Sequence, residues 1–139
     1  MNIVIDKNEI VCGLHKMSAH LGVKLSAPEL VASTPDDEEK ITVMLQASSV
    51  ELLKLLSPYA TFADGADAYT YLLEMPVNWK VGQMGNLVNL CKMYMQYSLF
   101  ARWLDFVKSD SAMLYRTLNA ETASAIVHIL SLREKPVRE

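Results

Sequence analysis

Residues 81–107 read VGQMGNLVNLCKMYMQYSLFARWLDFV, and the fold turns on this stretch. Its spacing predicts one long helix. At about 100° per residue, Gly82, Asn86, Asn89, Lys92 and Gln96 share one side. Ser98, Arg102, Asp105 and Ser109 share nearly the opposite side. A helix whose polar side switches halfway is covered first on one flank and then on the other. Three arrangements satisfy this pattern. The helix threads the centre of the domain between different neighbours, or one half packs on another subunit, or the helix bends near residues 96–98.

The same polar residues interrupt the longest apolar tract of the chain, which a membrane span of about 20 apolar residues does not tolerate. Beyond it, Ser109-Asp110 is placed to cap a last helix. The buried stripe of that helix is Leu114, Tyr115, Leu118, Thr122, Ala125, Ile126 and Ile129, and order ends soon after Arg133 at Pro136. Upstream, Thr34-Pro35-Asp36-Asp37-Glu38-Glu39 is the clearest helix start. Thr34 caps, Pro35 takes the first helical position, and the acids meet the positive end of the dipole. Ile41, Met44, Leu45, Ser48, Leu52, Leu55, Leu56 and Tyr59 then share one face, with Lys40, Gln46, Glu51 and Lys54 on the others.

Pro58 and Asp64-Gly65-Ala66-Asp67 end that helix in a turn. Residues 68–74, with Tyr69, Thr70 and Tyr71, read as a strand able to pair with a short N-terminal strand, Asn2 to Ile5. Asn8 is read as the cap of a first helix carrying Ile10, Leu14, Met17 and Leu21 and stopping at Gly22. A loop with Pro28 follows over residues 25–33. The expected fold is therefore mainly α: about four helices with a minor two-stranded β element. Residues 1–139 form a single helical domain with a short flexible tail from about 134.

A net charge of -3 argues against general nucleic-acid binding, which needs a basic field; the only cationic bias is Arg133, Lys135 and Arg138, interrupted by Glu134 and Glu139. The hydrophobic share of 51% is high for a chain this small, and the surplus suggests residues that meet a partner. Cys12 and Cys91 lie in apolar stretches and read as buried free thiols. No basic region precedes an apolar run at the N-terminus, so no signal peptide is expected.

Residues of the types that carry chemistry are present without the spacing that chemistry needs. His15 and His20 lie about 140° apart on one helix and do not converge on an ion with Cys12. The acids 36–39 point around the helix, and Asp64 and Asp67 lack the further ligands of a calcium loop. Gly82-Gln83-Met84-Gly85 lacks the lysine and the spacing of a phosphate loop. No local catalytic signature occurs. No cofactor and no metal are expected, and the protein is read as not an enzyme.

Thr34-Pro35-Asp36-Asp37-Glu38, followed by Ile41-Thr42-Val43-Met44-Leu45-Gln46-Ala47-Ser48-Ser49, resembles the helix start, acidic cluster and small-residue run of small head-tail connector (neck adaptor) proteins of tailed phages. Residues 71–76, Trp79, the aromatic-rich helix with Trp103 and the close at Ile129-Leu130 to Lys135-Pro136 are similar to short prophage-encoded proteins. The resemblance covers roughly residues 34–137. It implies a largely helical subunit joining a ring between portal and tail, with no catalytic residues to carry over. A strand over residues 68–74 departs from the simplest all-helical pattern of that family.

The first expectation is thus a non-enzymatic structural subunit, cytoplasmic and then part of the virion, whose partners are portal or tail proteins and copies of itself in a ring homo-oligomer. A small regulatory or inhibitory protein-binding factor is the alternative, and an enzyme comes third. The expected interface comprises Arg102, Trp103, Asp105 and Phe106, with Arg133 and Lys135 from the tail. Arg102 and Asp105, three apart, read either as a local ion pair or as charges setting register beside Trp103 at the rim.

Overall fold

The computed structural model describes residues 1–24, 32–107 and 109–135, with the side chains of Pro35 and residues 109–111 excepted. The element order is β1 (Asn2–Asp6), α1 (Lys7–Lys24), α2 (Glu38–Leu56), β2 (Ala60–Asp64), β3 (Ala68–Leu73), α3 (Met84–Val107) and α4 (Ser109–Ser131). One-turn 3-10 segments, Pro35–Asp37 and Val81–Gln83, lead into α2 and α3. The loop read over residues 25–33 lies outside the described residues as far as 31, as does the tail from Pro136. The capping read for Ser109 and Asp110 falls on side chains that are also outside the description.

The chain is mainly helical with a small antiparallel sheet, but the sheet has three strands rather than two, in the order β1-β3-β2. β1 pairs with β3 as its composition suggests, Ile3 opposite Tyr71 and Ile5 opposite Tyr69. β2 occupies residues that read as turn, and it puts Phe62 opposite Tyr71 on the other side of β3. Its ring sits 5.7 Å from Tyr69 and 5.2 Å from Tyr71, so aromatic contact on the inner face holds the edge strand in register. Gly65 makes the hairpin turn. Its N–H donates to Ala68 O at 3.0 Å, and a Cβ there would stand 3.0 Å from the same oxygen.

Two helix starts differ in detail from the sequence reading. Asp6, not Asn8, caps α1: its Oδ1 accepts from the N–H groups of Asn8 at 2.8 Å and Glu9 at 3.4 Å. That helix also runs past Gly22 to Lys24. At the entry to α2 the Asp37 carboxylate reaches back to the Thr34 N–H at 2.9 Å, while Asp37 N–H donates to Thr34 O at 3.0 Å. This is the return half of a capping box, with Asp37 in the role usually held by Glu.

The switch of polar side in α3 is resolved by threading. α3 runs unbroken for 24 residues and packs against α4, α2 and α1. Leu87, Cys91, Tyr94 and Met95 are buried in its first half, and Ser98 to Ala101, Trp103 and Leu104 in its second. Of the later polar residues, Ser98, Arg102 and Asp105 are engaged by neighbouring helices. Ser98, 3% exposed, shares a 2.8 Å hydrogen bond with Ser48 Oγ of α2 and donates to Glu51 Oε2 at 3.3 Å. Arg102 pairs with Glu51 of α2, and Asp105 with Arg116 of α4.

The end of α4 is closed by the segment before α3. Trp79, 1% exposed, donates its indole N–H to Ile129 O at 2.9 Å. Arg133 donates to Leu130 O and Leu132 O at 2.8 Å each, which satisfies carbonyls that a helix end leaves open. Glu134 N–H donates to Asn78 O at 2.7 Å, so the tie to the core extends one residue into the stretch read as flexible tail. Among the described residues no helix is long and apolar enough to cross a membrane.

Candidate interaction surfaces

The predicted interface residues do not form one surface. Trp103 is 2% exposed and belongs to the core. Arg102 and Asp105 do not pair with each other along α3, because each has a better-placed partner on a neighbouring helix, Glu51 and Arg116. Phe106 is the one large apolar member that faces outward, 56% exposed, with the Lys40 ammonium 4.6 Å from its ring centre.

The Asp105–Arg116 pair fastens the end of α3 to the second turn of α4. Met113 stands three residues before Arg116 on α4, and so lies early in that helix. Met113 and the adjacent Leu114 are 65% and 60% exposed. Leu114 reads from the sequence as the first residue of the buried stripe, but Ala112 is the fully buried residue near the start of α4 and Leu114 is exposed. Phe106 near the end of α3 and Met113 and Leu114 early in α4 are thus three exposed apolar side chains at the α3–α4 corner.

The tail residues part company. Arg133 is half-buried and spends its guanidinium on Leu130 O, Leu132 O and the Tyr59 hydroxyl at 3.3 Å. Lys135 is exposed. Of the two, only Lys135 retains a side chain free to meet another molecule among the described residues.

A second concave surface appears where the sequence offered no signal. A cleft of about 410 Å³ opens between α1, α2 and the β2–β3 turn. Its floor is apolar: Val11 from α1, Ile41 and Leu45 from α2, and the Tyr69 ring. At one end Lys7 bonds Asp64 Oδ1 and Gly65 O, both at 2.7 Å, with its ammonium 4.4 Å from the centre of the Tyr69 ring. At the other end stand His15 and Glu38. Among the described residues Glu38 has no ion-pair partner. Burial, partly offset by the Lys7 charge, pushes the Tyr69 phenol above its ordinary range.

Next to this cleft the fold assembles a serine–histidine contact that spacing concealed. His15 Nδ1 lies 2.6 Å from Ser33 Oγ, and Ser18 Oγ lies 3.0 Å from the same hydroxyl. Ser33 is 7% exposed, does not line the cleft, and also donates its N–H to Ser18 Oγ at 2.9 Å. A hydroxyl so enclosed ties the lead-in of α2 onto α1 and is badly placed to attack a substrate. Cys12 is exposed rather than buried, whereas Cys91 is enclosed and burial pushes its thiol up to about 12; both thiols are free. Among the described residues no group of three or more His, Cys, Asp or Glu is placed to hold a metal ion.

The chain matches no protein-family model, and no curated protein or solved structure is similar to it.

Proposed function

We propose that the protein is a non-enzymatic structural subunit that acts through protein–protein contacts, of the head-tail connector kind its sequence resembles, in a phage or prophage particle. On this reading it folds in the cytoplasm, joins a ring with copies of itself, and contacts portal or tail proteins in the virion. The observation that carries the reading is the apolar corner of Phe106, Met113 and Leu114, each more than half exposed. A corner of this kind gains by being covered. Fully burying such a side chain contributes about 1.5–3 kcal/mol, so covering the exposed half of three of them contributes roughly 3–4 kcal/mol.

That amount is too small to hold two copies together alone, since association itself costs at least about 4 kcal/mol. It suits a subunit that stays monomeric or weakly associated until further contacts are offered by an assembling ring. The test is light scattering of the purified protein alone and with candidate portal and tail proteins. A Phe106→Ser, Leu114→Ser variant is expected to keep its circular dichroism and lose the complex. Unchanged binding by the folded variant would refute the assignment of this corner.

A further inference from the structure

The dimensions and charges of the cleft between α1 and α2 narrow what it can hold. Lys7 and His15 mark its two ends on α1, eight residues apart, which at 1.5 Å per residue is about 12 Å. An extended chain of three to four residues spans that distance. The volume of about 410 Å³ lies within the usual range of ligand clefts and exceeds what one side chain fills.

The charges are unequally committed. The Lys7 ammonium is held by Asp64, the Gly65 carbonyl and the Tyr69 ring, so its charge is already answered. Glu38 at the opposite end is answered by no cation among the described residues. With Lys7, Glu38 and Asp64 as its acidic and basic members, the lining sets one cation against two carboxylates. Between the ends Val11, Ile41 and Leu45 offer apolar area, with Asn8, Thr42 and Gln46 as the uncharged polar members of the lining. The occupant that fits is a short extended segment with a cationic side chain at the Glu38 end and an apolar side chain behind it.

We infer that this cleft is a docking site for a lysine- or arginine-bearing extended peptide segment of a partner protein. The inference rests on the protein-binding reading above, but it concerns a different surface from the Phe106 corner, so either can fail without the other. The side chains of Gln46 and Asn8 also line the cleft, and Gln46 Oε1 accepts from the Tyr69 hydroxyl at 3.3 Å. An acidic segment would meet Glu38, which no cation among the described residues pairs, and is disfavoured.

The test is a methyl-NMR titration of the full chain with two acetylated tripeptide amides, Lys-Leu-Leu and Glu-Leu-Leu, up to about 10 mM, the range in which weak sites of this size are seen. Shifts are expected at Val11, Ile41 and Leu45 with the lysine peptide, and binding about fivefold weaker with the glutamate peptide, the worth of one exposed ion pair. Glu38→Gln should bring the two peptides together, and Thr42→Trp, at an exposed cleft position, should abolish both while the remaining spectrum stays folded. Equal binding of the two peptides by the unmodified chain would overturn the charge assignment. Shifts that miss the cleft, or persist in Thr42→Trp, would overturn the site. If lysinamide alone binds as tightly as the tripeptide, the cleft takes a small amine and the peptide occupant is wrong.

Discussion

Replacing Trp103 by alanine should cost far more stability than replacing its neighbour Phe106, although the two lie three residues apart and their rings are 5.9 Å apart. Trp103 is 2% exposed, and truncating a fully buried tryptophan costs about 3–5 kcal/mol, the lost transfer energy plus the cavity it leaves. Phe106 is 56% exposed. Less than half of its area is at stake, about 1 kcal/mol, with a few tenths more for the exposed contact to Lys40. The expected difference between the two substitutions is therefore about 2–4 kcal/mol.

A domain of this size has roughly 5–15 kcal/mol in all, so Trp103→Ala removes a large share without certain loss of the fold. Urea unfolding followed by far-ultraviolet circular dichroism measures it. With a slope of about 2 kcal/mol per molar urea, the midpoint should fall by about 1.5–2.5 M for Trp103→Ala and by about 0.5 M for Phe106→Ala. A drop of less than about 0.5 M for Trp103→Ala, or equal drops for both, would show that Trp103 is not the enclosed residue that the packing of α3 requires. The same pair of variants separates stability from binding. Only Phe106→Ala leaves a protein whose loss of partner binding is attributable to the surface.

Glu51→Ala should destabilise by about 2–3 kcal/mol, because it strips Arg102 of its partner while Ser98 and the Tyr94 hydroxyl also lose an acceptor at 3.3 and 3.4 Å; adding Arg102→Met should recover part of this, and a double-mutant cycle by urea unfolding checks it. Stability should also fall in alkali. The Cys91 thiol ionises at about 9.0 when unfolded and is pushed up to about 12 by burial, so its contribution is full below pH 9 and is lost between about 9 and 12, at up to about 1.4 kcal/mol per pH unit. Unfolding at stepped pH should show a shallower decline in Cys91→Val, and an unchanged slope would exclude the thiol as its source.

The parts of the fold that local chemistry determines were readable. The start of α2 announces itself because capping residues, Pro35 and acids sit within six consecutive residues, and the reciprocal Thr34–Asp37 bonds are the physical consequence. β2 was not readable because its signal is split between two neighbours. Ala60 and Phe62 are half-buried, Thr61 and Ala63 are exposed, and the five residues lie between Pro58 and Asp64-Gly65, both turn formers. Only the Tyr69 and Tyr71 rings on β3, which Phe62 stacks against, make the strand worth forming. The caps of α1 show the same limit at shorter range. Asp6 and Asn8 are both capping types, and the choice falls to Asp6 because β1 must end where its pairing with β3 ends, opposite Ala68.

The polar residues of α3 carry the more general point. Ser98, Arg102 and Asp105 announce a polar side, and a sequence cannot say whether such a side meets water or a partner group within the chain. Here α2 supplies Ser48 and Glu51 and α4 supplies Arg116, each positioned by a different helix. Once those pairs form, the charges of Arg102 and Asp105 are matched internally, and they lose much of their use in choosing an external partner, because an incoming charge would have to displace one already bound. What remains available for recognition is what the pairs leave over. At the α3–α4 corner that is apolar area, which favours covering without specifying by what. In the α1–α2 cleft it is one carboxylate, Glu38, beside an apolar floor, assembled from segments as far apart in sequence as Lys7, Leu45 and Tyr69. Affinity and selectivity are in that case divided between two surfaces, and a partner able to engage both would be bound more tightly and more selectively than either surface allows alone.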